Sequence, residues 1–278
     1  MTGVLVVIGV GGMGEVIARR LGAGRKMLLA DFNAQLLEAA ATKLRGEGYA
    51  ITTAAVDVSV RESVAALAAT AAGLGPVTDV VHTAGLSPVQ ASVEAILAVD
   101  LLGVAHMLDE FGAVIAPGGA GVVIASMAGT MAAGQLPPEA EGALELTPAD
   151  QLLSLPFLSS AAVPNPGAAY GLAKRAAQLR VQAASLAWGN RGARVNSISP
   201  GVISTPMGQA ELSGESGEMM RAMIAVSGTG RIGTPSDIAE AAAFLLGPSA
   251  SFVTGTDLLA DGGVVAALRS GALPTPTA

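Results

Sequence analysis

Tyr170 and Lys174 stand one helical turn apart in the segment YGLAK, so on a helix they share a face. A phenol with a pKa near 10 is a poor base at neutral pH, but an adjacent ammonium favours the phenolate. Spaced this way, the two side chains can work as an acid/base pair on an alcohol or a ketone. By itself Tyr-x-x-x-Lys occurs on many helices, often as a half-buried Tyr beside a solvated Lys. A second constellation lies at the N-terminus, where Gly9, Gly11 and Gly14 satisfy G-x-G-x-x-G in GVGGMG. Between a strand and a helix, such a turn brings backbone N–H groups up to a pyrophosphate, which the helix N-terminus then favours. Asp31 follows at the distance at which an acid reaches the adenosine ribose. A carboxylate there repels a 2′-phosphate, so NAD is expected rather than NADP. Asp31 could instead cap the following helix, a job open to Asn33 as well.

The elements needed to position these groups are legible. Short β-branched runs alternate with Ala-rich amphipathic stretches along the chain, the pattern of βαβ units and a buried parallel sheet. Strands are predicted at 4–9, 26–31, 50–56, 79–82, 121–126, 193–199 and 256–260. Helices are predicted to start at Gly14, Asn33, Val60, Val89, Ala168 and Pro235, with Ser59 and the Thr234-Pro235 pair as start signals. The expected fold class is α/β: a Rossmann-type doubly wound parallel sheet in three layers, one domain over residues 1–278. One segment breaks the rhythm. Residues 132–166 carry six prolines and an acidic cluster of Glu139, Glu141, Glu145 and Asp150, which reads as a functional insertion with a short helix after Pro148. The tail beyond Gly263 is expected to be loose.

Composition narrows the chemistry. The chain has 278 residues, 51% hydrophobic but 3% aromatic, with no cysteine and only two histidines, His82 and His106. Disulfides, Cys-ligated zinc, Fe–S clusters and thiolate catalysis are therefore excluded, and no metal site is expected. A net charge of -7 argues against nucleic acid and anionic membranes as partners. The apolar runs are too short to span a bilayer, and MTGVLVVIG lacks the basic start of a signal peptide, so a soluble cytoplasmic protein is expected.

In order along the chain, these motifs together resemble the short-chain dehydrogenase/reductase family. They are the glycine loop, Asp57-Val58, HTAG at 82–85, VVIAS at 122–126, YGLAK at 170–174, RVNSISPGVISTP at 194–206 and DGG at 261–263. The resemblance runs from about Val4 to Gly263. The insertion and the ending SFVTGTDLLADGG further resemble bacterial 3α-hydroxysteroid dehydrogenase/carbonyl reductases. The likeness implies that Ser126 hydrogen-bonds the substrate oxygen, that Tyr170 exchanges the alcohol proton, and that Lys174 binds the nicotinamide ribose and depresses the Tyr pKa. It implies an NAD site built from Gly9, Gly11, Gly12, Met13 and Gly14, with Asp31 and Phe32 at the ribose and Asp57 and Val58 at the adenine. Thr83, Ala84 and Gly85 would line the trough. Pro200, Gly201, Val202 and Ile203 would form the floor, and Thr205 would hold the carboxamide.

This chain departs from the family pattern in places. The glycine loop is one residue shorter and lacks the Thr-Gly opening. Asp100 stands where the family has an active-site Asn, and is expected either to keep a relay to Lys174 with altered electrostatics or to be a harmless replacement. His82 replaces an Asn at a strand end and is expected to be structural. Met207, Met219, Met220 and Met223 lie where relatives carry a substrate lid, which suits a bulky apolar ligand, although plain helix packing is an equal reading.

The implied function is an NAD-dependent oxidoreductase that interconverts a secondary alcohol and a ketone on a hydrophobic, steroid-like substrate. It is expected to form a homodimer or homotetramer, with the insertion either walling the pocket or covering a helix face used in assembly. A 3-oxoacyl thioester reductase is the alternative, and a catalytically silent NAD-binding sensor or scaffold is the alternative from another class. An enoyl reductase fits the Tyr-to-Lys spacing less well.

Overall fold

The computed structural model describes residues 3–159, 161–214 and 216–272. Seven strands form one parallel sheet in the order β3-β2-β1-β4-β5-β6-β7. They are β1 (Val4–Ile8), β2 (Lys26–Asp31), β3 (Ala50–Ala55), β4 (Val77–His82), β5 (Ile115–Ile124), β6 (Arg194–Pro200) and β7 (Asp257–Ala260). A parallel sheet is covered on both faces, which is why its strands read as continuous apolar runs. All five residues of β1, for example, are buried.

On one face lie α1 (Gly12–Leu21), α2 (Ala34–Gly46) and α12 (Pro235–Leu246), packed on Leu5, Val7, Leu29, Val81 and Ile198. On the other lie α3 (Arg61–Leu74), α5 (Gly103–Val114) and the 24-residue α9 (Pro166–Gly189), packed on Val6, Ile8, Val80 and Val123. Trp188, the single tryptophan, is fully buried there and donates to the Leu108 carbonyl at 3.0 Å. The short α4 (Val93–Ile96) runs into a π-helical turn, Leu97–Leu102, that continues into α5. That π turn holds Asp100.

After α6 (Met127–Ala132), the predicted insertion folds as α7 (Pro138–Leu146) and α8 (Ala149–Leu152). It packs on α9. Leu144, Ala149, Leu152 and Leu158 bury themselves against Ala169, Ala173, Ala176 and Leu179 of α9. Arg175 holds Glu141 through two hydrogen bonds, and buried Arg180 donates to the carbonyls of Leu144 and Thr147 at the end of α7.

After β6 come α10 (Pro206–Ser213) and α11 (Gly217–Val226). The four methionines of this segment are exposed or half-buried, and none belongs to a core cluster. Thr234 and Asp237 form a complete capping box at the start of α12, as the sequence signal implies. Two expectations are corrected. Ser59 does not cap α3, because its hydroxyl and N–H both go to Asp57 Oδ1. The segment after Gly263 is not loose, since Asp261 accepts from the N–H groups of Gly263 and Val265 and starts a further helix, α13 (Val264–Arg269), with Val264 and Val265 buried. Residues 273–278 of that tail lie outside the described residues. Among the described residues no helix is long and apolar enough to cross a membrane.

Candidate active site

Strand order reverses between β1 and β4, and the loops after these strands form the crevice in which open α/β sheets bind ligands. The glycine loop lies there. Gly9 has φ +90°, and a side chain on it would collide with the Ala84 backbone; a Cβ on Gly14 would fall 1.9 Å from the Gly9 carbonyl. The turn is therefore closed in a way only glycine permits. Gly11 opens onto free space, and no side chain caps the N-terminus of α1. Gly12 faces Thr205, whose hydroxyl caps α10 through the Gly208 N–H, and Met13 packs partly against the core.

Both oxygens of Asp31 carry hydrogen bonds, from Val10 N–H in the glycine loop and from Asn33 N–H, each at 2.8 Å. Asn33 is the N-cap of α2, so Asp31 braces the loop instead of capping the helix. An ionised carboxylate accepts about four hydrogen bonds, leaving capacity for ribose hydroxyls. Phe32 is exposed beside it. Asp57 has one oxygen occupied by Ser59, Val58 is buried, and the Val58 carbonyl is bonded to His106 Nδ1. Thr83 donates to the Gly9 carbonyl at 2.7 Å, which stitches the two crevice loops together. Val202 and Ile203 bury their side chains, and the segment is fixed by backbone bonds from Gly201 N–H to Ala260 and from Gly233 N–H to Val202. These residues bound the trough with backbone rather than side chain. The open glycine turn, the uncapped helix end and the acid at the end of β2 fit an adenine dinucleotide.

The acid/base groups meet at the far end of this crevice. Ser126, two residues beyond β5, caps α6 by accepting from Ala128 N–H, and α6 meets α9 where Gly129 closes on the Lys174 backbone. Tyr170 is half-buried near the start of α9, and Lys174 Nζ lies 5.4 Å from the centre of its ring. Lys174 is buried, donates to the Ile124 carbonyl at 3.3 Å, and lies 3.0 Å from Asp100 Oδ2. Asp100 has no exposed surface, and its other oxygen accepts from Leu86 N–H at 2.8 Å. Gly85 sits over this pair: a Cβ there would be 3.0 Å from the carboxylate and 3.2 Å from the ammonium.

Burial pushes the Tyr170 phenol above its usual pKa; the Lys174 ammonium opposes this, while the Asp100 carboxylate adds to it. The depressed phenol expected from Lys174 alone is thus offset in this arrangement. Burial alone would pull Lys174 down, but Asp100 and the Tyr170 phenol together outweigh it and hold the ammonium above its ordinary range. His82, on β4, is wholly buried with neither ring nitrogen hydrogen-bonded among the described residues, and burial pulls its pKa down to about 3. It is therefore neutral at working pH. Spacing rules could not have found the Asp100–Lys174 contact, because 74 positions separate the two; the signal was the acid in place of an amide.

Comparison with known proteins gives the family. The family model described as short chain dehydrogenase matches residues 3–138, and the model described as Enoyl-(Acyl carrier protein) reductase matches residues 147–265. The short-chain dehydrogenase/reductase bsc3 of Alternaria brassicicola is 44% identical over 264 residues, covering 95% of this chain and 96% of that protein. The chain belongs to the short-chain dehydrogenase/reductase family. A 3-alpha-hydroxysteroid dehydrogenase/carbonyl reductase of Comamonas testosteroni is 32% identical over 189 residues, covering 67% of this chain and 72% of that one. Among solved structures, a glucose/ribitol dehydrogenase-type family member from Brucella melitensis superimposes with a TM-score of 0.75 at 27% identity, covering 94% of this chain and 96% of that one. Membership makes this an oxidoreductase of CH–OH or carbonyl groups that uses a nicotinamide cofactor.

Proposed function

We propose that this short-chain dehydrogenase/reductase uses NAD to interconvert a secondary alcohol and a ketone on a largely hydrophobic substrate. The observation that carries the reading is Tyr170 and Lys174 on one face of α9, beside Ser126 and at the end of the glycine-loop crevice. A bound nicotinamide supplies the hydride acceptor or donor. Tyr170 moves the proton at its phenol oxygen, taking it from the alcohol in oxidation and returning it in reduction. Ser126 donates a hydrogen bond to the substrate oxygen and steadies its developing charge. Lys174, fixed by Asp100 and the Ile124 carbonyl, presents its ammonium to the phenol and to the ribose hydroxyls. Asp31 supports NAD over NADP, because its carboxylate lies at the end of β2 and already faces the glycine loop. The half-exposed methionines of α10 and α11 and the likeness to the Comamonas reductase support an apolar, steroid-like ring.

The test is NADH formation against a panel of secondary alcohols, with Tyr170→Phe as control. Turnover by the wild type, lost by at least about 100-fold in the variant, is expected for a general acid/base. Tight NAD binding with no turnover on any alcohol would instead make the chain a sensor.

A further inference from the structure

Glu211, on α10, accepts a hydrogen bond from Ser87 Oγ at 2.5 Å. Ser87 has no exposed surface, although it lies in the loop after β4. The residue before it, Leu86, is the one whose N–H is held by Asp100, which touches Lys174. Two consecutive loop residues are thus tied in opposite directions, one to the acid/base pair and the other to the helix that follows β6. Through Ser87 and its neighbour Leu86, Glu211 is thus one loop residue removed from the Asp100–Lys174 pair.

Proton transfer has no use for this acid, since Ser126, Tyr170 and Lys174 provide the acid/base chemistry. Its Oε2 has no hydrogen-bond partner among the described residues. A carboxylate is an acceptor only, so it favours ligand groups that donate and repels anions placed beside it. A wholly apolar ligand that displaced Ser87 would leave the acid desolvated and unpaired, and sites built to bond a hydroxyl strongly reject analogues that lack it.

We propose that Glu211 is a specificity-determining residue that accepts a hydrogen bond from a second hydroxyl on the substrate, close to the reacting carbinol, with Ser87 as the internal donor that this hydroxyl replaces. The substrate class is then a ring diol or hydroxyketone on an otherwise apolar skeleton. The inference rests on the dehydrogenase reading above and adds a substrate feature to it.

The experiment compares kcat/KM for trans-cyclohexane-1,2-diol and cyclohexanol with NAD, in the wild type, Glu211→Gln, Glu211→Ala and Ser87→Ala. The wild type should prefer the diol by about 10- to 100-fold, the range for a hydrogen bond to a charged group. Glu211→Ala should erase that preference through the diol KM, leaving cyclohexanol within about 3-fold, and Glu211→Gln should retain part of it. Ser87→Ala should lower the diol KM, because the internal donor is gone, whereas a purely structural contact would raise it. Equal losses on both alcohols, or a wild type without preference, overturns the role of Glu211 and leaves the dehydrogenase reading standing. A wild type that oxidises neither alcohol nor any other member of the panel overturns both.

Discussion

Lys174 Nζ lies 3.0 Å from Asp100 Oδ2, and both side chains are almost entirely out of solvent. A carboxylate in this place compensates the ammonium that would otherwise make Tyr170 more acidic. Burial and Asp100 both raise the phenol, so alcohol oxidation, which needs phenolate, should increase into the alkaline range. Asp100→Asn removes one of the upward influences. The acidic limb of the kcat/KM profile for oxidation should then move to lower pH. A profile between pH 6 and 11 checks this, and a limb that moved upward would show that Asp100 chiefly keeps Lys174 charged.

Asp31 accepts a hydrogen bond from the glycine loop and is proposed above as the ribose ligand. Asp31→Ala should lower the ratio of kcat/KM for NAD to that for NADP by about 10- to 100-fold, as expected when a charged hydrogen-bond acceptor and a source of repulsion are lost together. An unchanged ratio would leave Asp31 as a brace for the loop alone.

His82 gives a stability prediction with a definite sign. Its folded pKa is depressed to about 3 by burial, so below its ordinary value of 6.5 the unfolded chain takes up a proton that the folded chain refuses. Stability from this group is complete above 6.5 and is lost as pH falls towards 3, at about 1.4 kcal/mol per pH unit. Thermal melts of His82→Asn should therefore fall less steeply than wild type between pH 6 and 4. Parallel curves would show that the imidazole finds a proton acceptor on burial.

Arg180 ties the insertion to α9 through two carbonyls at the end of α7. Arg180→Ala leaves both without their donor and opens a void in the buried layer. It should cost about 3 kcal/mol of stability, measured by denaturant unfolding. A loss below about 1 kcal/mol would mean that the apolar contacts alone hold the insertion in place.

Much of this was legible before the structure. Alternation of apolar runs and amphipathic stretches placed all seven strands, because a parallel sheet buried on both faces leaves a strong local signal. The site was legible where chemistry sits in short motifs, as in the glycine loop and YGLAK. It was not legible where pairing depends on topology. Nothing local in the sequence says that Ser197, Ser199 and Gln178 all bond Asp257, which joins α9, β6 and β7. Similarly, Glu211 looks like an ordinary solvated helix residue until Ser87 is seen 124 positions away in sequence and 2.5 Å away in space. Ser59 misled because Asp57 competes for the same hydroxyl that would have capped α3.

The layer formed by α7 and α8 has a consequence for how the enzyme behaves on dilution. The row of small residues on α9, Ala169, Ala173 and Ala176, interleaves with Tyr170 and Lys174 and is covered from within the same chain. The backbone that carries Tyr170 and Lys174 is thus clamped intramolecularly, at an effective concentration that no dilution can lower. Specific activity should stay constant from micromolar to nanomolar enzyme, whatever the number of copies that associate.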